Sequence, residues 1–262
     1  ALWRALPEPG MKNKKPFQDR LALVTGASRG IGRAVALGLA KAGAHVVITA
    51  RTVGALEELD DEIRAAGGKA TLVALDLSSG DKIDQLGPTL YQRWGQLDIL
   101  VANAGILGPL SPLNHVTEDA WNDVLEINLT ANWHLIRTLD PLLRRSDAAR
   151  AVFVTSGAAS GNYAYWGPYA VSKAGLDALA KTYAQEVADS TVRVNLVSPG
   201  GVRTQMRAKA FPGENPVTLP APEELVPLFM ELVSPECTKN GVIVDYREWR
   251  KSQTSEAADS EA

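Results

Sequence analysis

The chain has 262 residues, of which 45% are hydrophobic, and its formal net charge at pH 7 is -3. This length and composition allow a sizeable core, and no linker divides the middle of the sequence. Neither half carries the dense run of Lys and Arg that binding to a phosphate backbone needs, so the composition argues against nucleic acid as a partner.

Residue types that ligate metals or form disulfides are few and scattered. Cys237 is the only cysteine, and the three histidines, His45, His115 and His134, lie far apart along the chain. The chain therefore has no internal disulfide framework and no metal-ligand spacing. We expect no bound metal.

Targeting segments are also not apparent in the sequence. Residues 1–20 contain prolines and lysines but lack the continuous apolar core of a signal peptide. No apolar run approaches the roughly 20 residues that cross a bilayer. We therefore expect a cytoplasmic protein that does not bind membranes.

Short β-branched runs alternate with longer stretches of helical pattern along the chain. The predicted strands are 21–25, 46–50, 70–75, 99–102, 151–155, 192–197 and 241–244. The predicted helices are 31–42, 54–66, 82–94, 117–144, 169–187 and 223–233. Because the strands are apolar on both faces, they fit parallel strands that helices cover on each side. The pattern predicts one α/β domain over residues 20–250, with a doubly wound, mostly parallel sheet of seven strands and helices on both faces.

Three segments fall outside this alternation. Residues 1–19 are predicted to be an N-terminal extension, and residues 251–262 a polar tail that is disordered. Residues 200–222 form a long connection before the last helix, and long loops in compact domains are usually functional or disordered. By its position in the chain this connection should cover the open end of the sheet and form a substrate loop.

A glycine-rich turn, Thr25-Gly26-Ala27-Ser28-Arg29-Gly30-Ile31-Gly32, joins the first predicted strand to its helix. Glycines allow a tight turn and bring backbone N–H groups close to a phosphate at the start of the helix. The turn therefore predicts a site for the pyrophosphate of a dinucleotide. Taken alone, the same glycines could serve only to pack the strand closely on the helix.

The residues after the second strand indicate which dinucleotide binds. A carboxylate here would bond the ribose 2′-hydroxyl of NAD, but the sequence is Ala50-Arg51-Thr52, with no acidic residue before Glu57. Arg51, helped by Arg29 from the glycine turn, can pair with a 2′-phosphate. We therefore expect NADP(H) in preference to NAD(H). The alternative is that both arginines are solvated surface charges.

Tyr169 and Lys173 are four residues apart in a predicted helix, and Tyr169 follows Ser156 by thirteen residues. Residues four apart lie on one helix face, so the Lys173 ammonium can stand beside the Tyr169 phenol and favour its ionised form. A free tyrosine has a pKa of about 10 and is a slow base near neutral pH, so a general acid and base tyrosine needs such a cation. The pair predicts proton transfer by Tyr169.

The chain resembles the classical short-chain dehydrogenase/reductase family over residues 20–244. The residues that carry the resemblance are the glycine turn, Asp76, Asn103-Ala104-Gly105, Asn128, Ser156, Tyr169, Lys173 and Pro199-Gly200, in this order and spacing. The resemblance implies a Rossmann-type fold and hydride transfer between C4 of a nicotinamide ring and a carbonyl or alcohol carbon.

The resemblance also implies roles for four catalytic residues. Tyr169 would protonate the carbonyl oxygen of the substrate, and Ser156 would hydrogen-bond the same oxygen. Lys173 would lower the pKa of Tyr169 and bind the nicotinamide ribose. Asn128 would hold a water molecule that connects Lys173 to solvent. Developing charge on the substrate oxygen would thus meet two hydrogen-bond donors.

Neighbouring residues of the same type compete for two of these roles. Thr155 directly precedes the serine, but a spacing of thirteen residues to Tyr169 is that of the family. Tyr163 and Tyr165 have no lysine four residues further on. We therefore expect these two tyrosines to line the substrate pocket together with Trp166.

By the same resemblance, the cofactor would contact turns at one end of the sheet. The expected cofactor-binding residues are Gly26, Ser28, Arg29, Gly30, Ile31, Gly32, Arg51, Asp76, Leu77, Asn103, Ala104, Gly105, Tyr169, Lys173, Pro199, Gly200, Val202 and Thr204. Val202 should flank the nicotinamide amide, and Thr204 should cap the next short helix. Asp76 should touch the adenine or, alternatively, cap the helix that follows it. Asn103 and Gly105 have the alternative of a purely structural turn.

The end of the chain departs from the family pattern. Where relatives close the last strand with Asp-Gly-Gly, this chain has Asp245-Tyr246-Arg247. In relatives that ending packs in a subunit interface of a tetramer. Because this chain has a different ending, we expect either a homotetramer or a homodimer, and the dimer would form through the helices after Thr117 and Tyr169.

The leading hypothesis is an NADPH-dependent carbonyl reductase, reversible as an alcohol dehydrogenase, that acts on a small-molecule ketone, aldehyde or alcohol. Met206, Phe211 and Leu219 in residues 200–222 suggest a partly apolar pocket. A narrower version is reduction of a 3-oxoacyl group on an acyl carrier protein. That partner is acidic, and basic residues in the same loop could attract it, namely Arg203, Arg207 and Lys209.

A hypothesis of another class is a non-catalytic NADP(H)-binding sensor or structural subunit, because a fold alone does not establish a function. A chain used only for binding could lose Asn128, Ser156, Tyr169 or Lys173 freely. All four are present, which favours the enzyme.

Overall fold

A computed structural model of the protein describes residues 15–161 and 163–260. Strands and helices alternate along these residues in the order β1 (Leu21–Thr25), α1 (Gly30–Lys41), β2 (His45–Ala50), α2 (Val53–Ala65), β3 (Lys69–Ala74), α3 (Gly80–Asp84), α4 (Leu86–Trp94), β4 (Ile99–Ala102), α5 (Glu118–Leu125), α6 (Ala131–Leu143), β5 (Arg150–Val154), α7 (Gly167–Glu186), β6 (Arg193–Ser198), α8 (Gln205–Ala210), α9 (Val226–Val233), β7 (Ile243–Asp245) and α10 (Tyr246–Ser260). Most of the predicted N-terminal extension, residues 1–14 of 1–19, lies outside the described residues.

The seven strands form one sheet in the order β3-β2-β1-β4-β5-β6-β7, and every neighbouring pair is parallel. The predicted doubly wound sheet of seven strands is confirmed. The chain winds outward from β1 to β3 and then returns to place β4 on the other side of β1. The strand order therefore reverses between β1 and β4. In such sheets ligands bind outside the carboxyl ends of the strands at this switch point.

Side chains alternate between the two faces of the sheet and build a core on each. In β1, Ala22 and Val24 pack with residues of α1, α2 and α9, whereas Leu21 and Leu23 pack with residues of α4, α6 and α7. Because helices cover both faces, the central strands are apolar at nearly every position. Each fully buried Leu contributes about 1.5–3 kcal/mol, so the two layers hold the strand ends in fixed positions.

The predicted helix 117–144 is interrupted in the structure. α5 and α6 are joined by a π-helical segment, Glu126–Thr130, that places Asn128 in the buried interior. A π-helical turn contains one residue more than an α-helical turn, and such turns are frequently found at functional sites.

The C-terminal end also differs from the expectation of a disordered tail from residue 251. α10 continues to Ser260. It begins directly after β7 because Asp245 Oδ1 accepts hydrogen bonds from the backbone N–H groups of Arg247 (2.9 Å) and Glu248 (3.3 Å). The indole of Trp249 then donates to Glu231 of α9 at 2.6 Å, which attaches the first turns of α10 to the domain.

In the part of the chain that the structure describes, no helix combines the length and the apolar character needed to cross a bilayer. Within those same residues, no three His, Cys, Asp or Glu side chains come together as a possible metal site. Cys237 is half-buried and free.

Candidate active site

A cleft of about 480 Å³ lies at the carboxyl ends of the strands, at the switch point between β1 and β4. The expected site residues that line it are Gly26, Ser28, Arg29, Gly30, Ile31, Arg51, Asp76, Leu77, Asn103, Ala104, Gly105, Ser156, Tyr169, Lys173, Pro199, Gly200, Val202 and Thr204. The other two expected residues, Gly32 and Asn128, are buried outside this lining. The fold thus brings together turns that are far apart in sequence.

The glycine turn lies against the turn that follows β4. Gly26 has φ +65°, and a Cβ on it would lie 2.9 Å from Cα of Ala104, so only glycine fits. α1 then begins at Gly30, and the side chain of Arg29 makes no capping hydrogen bond. The first N–H groups of α1 therefore have no side-chain cap, and Gly30 and Ile31 border the cleft. This end of the cleft suits a phosphate.

Asn103 joins these two turns. Its side-chain amide donates to the backbone oxygens of Thr25 (2.9 Å) and Gly26 (3.2 Å). Thr25 Oγ1 in turn accepts from the backbone N–H groups of Asn103 (3.0 Å) and Ala104 (3.1 Å). The amide of Asn103 is therefore a structural link between the turns, and the residue also lines the cleft.

We expect Gly32→Ala to lower the free energy of unfolding by about 2–4 kcal/mol, because overpacking and lost hydrogen bonds both destabilise. The added Cβ would lie 2.3 Å from Asn103 Nδ2 and 2.5 Å from the backbone oxygen of Gly26. Urea unfolding measures the change. The control is Gly54→Ala in α2, where the added Cβ meets no atom within 4 Å and helix propensity should add about 0.5 kcal/mol. Equal effects of the two substitutions would contradict the crowded contact.

The Asp76 side chain stabilises the turn after β3 and does not cap the helix that follows. Its Oδ1 accepts from the backbone N–H of Ser78 at 3.1 Å, and this bond, with the nearby positive charge of Arg51, keeps the pKa of Asp76 below its ordinary value. The helix α3 starts later, with Ser79 in the capping position. The alternative that Asp76 caps the following helix is therefore wrong.

The two arginines expected at the 2′-phosphate lie at the edge of the cleft. Arg51 is exposed at the end of β2, and Arg29 donates to Oε1 of Gln205 in α8 at 2.8 Å. Arg29 thus connects the glycine turn to the wall formed by the substrate loop. Both guanidinium groups border the cleft.

Tyr169 and Lys173 lie on one face of α7, as their spacing predicted. Both are buried, with 8% and 4% of their surfaces exposed. Lys173 Nζ donates to the backbone oxygen of Val154 at 2.8 Å and lies 5.8 Å from the centre of the Tyr169 ring. Ser156 is the second residue after β5 and also borders the cleft. The three side chains therefore meet where β5 ends.

Burial shifts the pKa values of Tyr169 and Lys173 in opposite directions. It raises the pKa of Tyr169 above its ordinary value, more than the hydrogen bond with Ser156 lowers it. Burial also lowers the pKa of Lys173 to about 8, against the opposite influence of Asp177. That Lys173 lowers the pKa of Tyr169 stays a prediction, because desolvation of the phenol is the largest influence on it in this structure. At neutral pH the phenol keeps its proton, as a proton donor must.

Asn128 connects the turn after β4 to α7. Its Oδ1 accepts from the backbone N–H of Ile106 at 2.8 Å, and its Nδ2 donates to the Ile106 oxygen (2.9 Å) and to Ser172 Oγ (3.0 Å). The role of holding a water molecule stays a prediction. The contacts add a second role, positioning of the backbone of Ile106, which sequence reasoning missed.

The substrate loop, residues 200–222, forms one wall of the cleft. Thr204 Oγ1 accepts from the backbone N–H of Arg207 at 3.2 Å, so Thr204 caps α8 as predicted. Val202 is buried against the domain core and borders the cleft. Met206 and Ala210 of α8 line the same wall.

Other lining residues were not expected from the sequence. They include Thr49, Leu75, Ile106, Leu107 and Ile127. Leu107 packs with Ala158 and Tyr169, and Trp166 covers this small cluster. Their positions depend on which strands are neighbours, so a linear pattern gives little sign of them. The exception is Thr49, a polar residue near the end of an apolar strand.

A doubly wound parallel sheet with a glycine turn at its switch point is found in dinucleotide-binding oxidoreductases. The family model described as short chain dehydrogenase matches residues 20–215. The chain belongs to the short-chain dehydrogenase family and is an oxidoreductase.

Three proteins of known sequence or structure are similar to this chain over most of its length. An uncharacterized oxidoreductase from Escherichia coli, YciK, is 35% identical over 244 residues, which cover 92% of this chain and 96% of that protein. A 3-oxoacyl-[acyl-carrier-protein] reductase from Synechocystis is 37% identical over 188 residues, with 71% and 76% covered. A short chain dehydrogenase from Shigella flexneri, crystallised with NADP, is 35% identical with a TM-score of 0.85, and the match covers 89% of this chain and 99% of that one.

Proposed function

We propose that the protein is an NADP(H)-dependent carbonyl reductase, reversible as an alcohol dehydrogenase, that uses Tyr169 as general acid and base on a small-molecule ketone, aldehyde or alcohol. The observation that carries the proposal is the meeting of Ser156, Tyr169 and Lys173 in one cleft, where burial raises the pKa of the Tyr169 phenol. General acid catalysis requires a proton near the reacting oxygen.

The residues at the other end of the cleft fit NADP(H). The start of α1, which has no side-chain cap, borders the cleft at Gly30 and Ile31. Arg29 and Arg51 supply positive charge for a 2′-phosphate. The similar Shigella protein, crystallised with NADP, supports the same preference. When bound, the cofactor would supply or accept the hydride at its nicotinamide ring.

The chain's own groups would handle the proton. Tyr169 would donate its proton to the carbonyl oxygen during reduction, and Ser156 would donate a second hydrogen bond to that oxygen, so the developing negative charge meets two donors. Lys173 would place a positive charge beneath them and bind the nicotinamide ribose, held by its bond to Val154. Trp166 and Val202 would exclude bulk water from this end of the cleft.

We expect Arg51→Ala to raise KM for NADPH by about 10- to 100-fold, because a hydrogen bond between charged groups contributes about 1.5–3 kcal/mol. KM for NADH should change by no more than about twofold, since NADH has no 2′-phosphate. Steady-state kinetics with both cofactors measure the difference. The control is Arg33→Ala in α1, because Arg33 pairs with Glu62 outside the cleft. Equal changes for NADPH and NADH would contradict a phosphate contact.

The substrate end of the cleft favours a small apolar carbonyl compound. Leu107, Trp166 and Ala210 form its apolar surface. Arg207 is held by two bonds to Glu214, at 2.5 and 2.7 Å, and stacks 3.8 Å from the centre of the Phe211 ring. One of the three basic loop residues is thus already neutralised within the protein, which weighs against an acidic carrier protein as the partner.

The test is oxidation of NADPH, followed by absorbance, with a panel of aliphatic and aromatic ketones and aldehydes and with a 3-oxoacyl thioester. Turnover of small carbonyl compounds is the expected result. Turnover of the carrier-bound thioester alone would support the acyl carrier reductase. NADPH binding without turnover of any compound would contradict the reductase and support the sensor hypothesis.

We also propose a cytoplasmic homo-oligomer. The helices expected to form a dimer carry exposed apolar side chains, Trp133 on α6 and Val171 on α7, and such side chains are common at subunit interfaces. Light scattering of the purified protein distinguishes a dimer from a tetramer, and a monomer would contradict the proposal.

A further inference from the structure

Thr49 carries a buried hydroxyl without a hydrogen-bond partner. It lies in β2, one residue before the strand ends, and only 1% of its surface is exposed. Within the described residues its Oγ1 has no hydrogen-bond partner. Buried polar groups are nearly always paired, and an unpaired one destabilises the folded state. Thr49 also borders the cleft, so a bound molecule could supply the missing bond.

A neighbouring threonine, Thr25, has a hydroxyl that is hydrogen-bonded, as buried hydroxyls usually are. Thr25 in β1 is the register partner of Thr49, and its Oγ1 accepts two backbone hydrogen bonds, from Asn103 at 3.0 Å and Ala104 at 3.1 Å. The two side chains are equivalent in chemistry and neighbours in the sheet. The protein satisfies the hydroxyl of Thr25 and leaves that of Thr49 unsatisfied at the wall of the cleft.

The position of Thr49 indicates which part of a dinucleotide it would meet. Arg51, two residues further along the chain, is exposed at the mouth of the cleft, where a charged 2′-phosphate would be bound. Two residues of a strand span about 6–7 Å, so Thr49 lies deeper than Arg51. Leu75 and Leu77, which follow the neighbouring strand β3, are buried beside the cleft. These surroundings suit a nucleoside better than a phosphate.

We propose that the Thr49 hydroxyl hydrogen-bonds the adenosine part of the dinucleotide, through the adenine ring or a ribose oxygen. A hydroxyl can both donate and accept, so it matches either group. The inference rests on the proposed function, because it takes NADP(H) as the ligand. It adds a binding residue that no motif of the chain identifies, and it assigns this residue to the part that NADPH, NADH and 5′-AMP share.

The test is Thr49→Val, which keeps the shape of the side chain and removes the hydroxyl. We expect the dissociation constants of NADPH, NADH and 5′-AMP, measured by titration calorimetry, to rise by the same factor, about three- to tenfold. Without ligand, the melting temperature should rise by about 2–4 °C, because an unpaired buried hydroxyl is removed. Thr49→Ser, which keeps the hydroxyl, should bind all three ligands like the native protein.

A matched control is Thr71→Val in β3. Thr71 Oγ1 is hydrogen-bonded to His45 Nε2 at 2.8 Å and does not border the cleft. This substitution should lower the melting temperature and leave the three dissociation constants unchanged. If Thr49→Val does not fold, Thr49→Ala provides the same comparison of ligands.

Unchanged binding by Thr49→Val would overturn the inference. A loss confined to NADPH would also overturn it, because the hydroxyl would then contact the 2′-phosphate. Failure of the native protein to bind NADPH would instead contradict the proposed function. The two failures are therefore distinguishable in one set of titrations.

Discussion

Replacing Tyr169 by phenylalanine is expected to lower kcat for ketone reduction by about 10³, because a positioned general acid typically contributes 10²–10⁴. The substitution removes one hydroxyl from a side chain that is 8% exposed and leaves the ring in contact with Leu107 and Trp166. NADPH affinity should stay within about twofold, since the phenyl ring fills the same space. Single-turnover kinetics with a substrate from the panel, combined with NADPH titration, separate the two effects.

The matched control is Tyr183→Phe on the same helix. The hydroxyl of Tyr183 donates to Asp140 at 2.9 Å, far from the cleft, so this variant should lose some stability and keep its turnover. If Tyr169→Phe also kept its turnover, proton transfer by Tyr169 would be excluded, and Ser156 would become the main candidate for the proton donor.

Replacing Lys173 by methionine is expected to have opposite effects on activity and stability. Removing a charge-stabilising donor typically lowers kcat by about 10²–10³. A lowering of the lysine pKa from 10.5 to about 8 means that burying the ammonium costs about 3 kcal/mol. Methionine avoids this cost but loses the bond to the Val154 oxygen, about 1–2 kcal/mol. The free energy of unfolding at pH 7 should therefore rise by about 1–2 kcal/mol, as urea unfolding would measure.

The pH dependence of stability gives this prediction a second readout. Unfolded Lys173 holds its proton up to about pH 10.5, whereas the folded protein loses it near pH 8. Between these values unfolding takes up a proton, so the free energy of unfolding of the native protein rises with pH. Lys173→Met should lack this rise. Lys181→Met, an exposed position two turns further along α7, should keep it. A methionine variant with the native pH dependence would show that the Lys173 ammonium carries no burial cost.

Much of the fold could be predicted because its signals are local. β1 and β4 have the predicted ends, 21–25 and 99–102, since each is a short apolar run. The shared face of Tyr169 and Lys173 follows from helical periodicity alone. The glycine turn was recognisable because positive φ and close backbone contacts restrict the choice of residue.

The features that sequence reasoning missed depend on contacts across the fold. The π-helical segment Glu126–Thr130 lies within one predicted helix, 117–144, because periodicity does not distinguish a single π-helical turn from the α-helix around it. The raised pKa of Tyr169 comes from burial, which a spacing of four residues does not reveal. The unpaired hydroxyl of Thr49 stands out only beside the paired one of Thr25.

The hydrogen bonds of Asn128 fix the positions of two parts of the site that would take part in the reaction. One side-chain amide holds both backbone groups of Ile106 and also Ser172, the residue next to Lys173. The turn after β4 and the helix with the reacting phenol are therefore fixed relative to each other before any ligand enters. Such preorganisation means that dipoles need little rearrangement when charge develops, and enzymes gain much of their rate enhancement in this way. The rigidity of this corner, as much as the identity of its acid, would then set the rate of turnover.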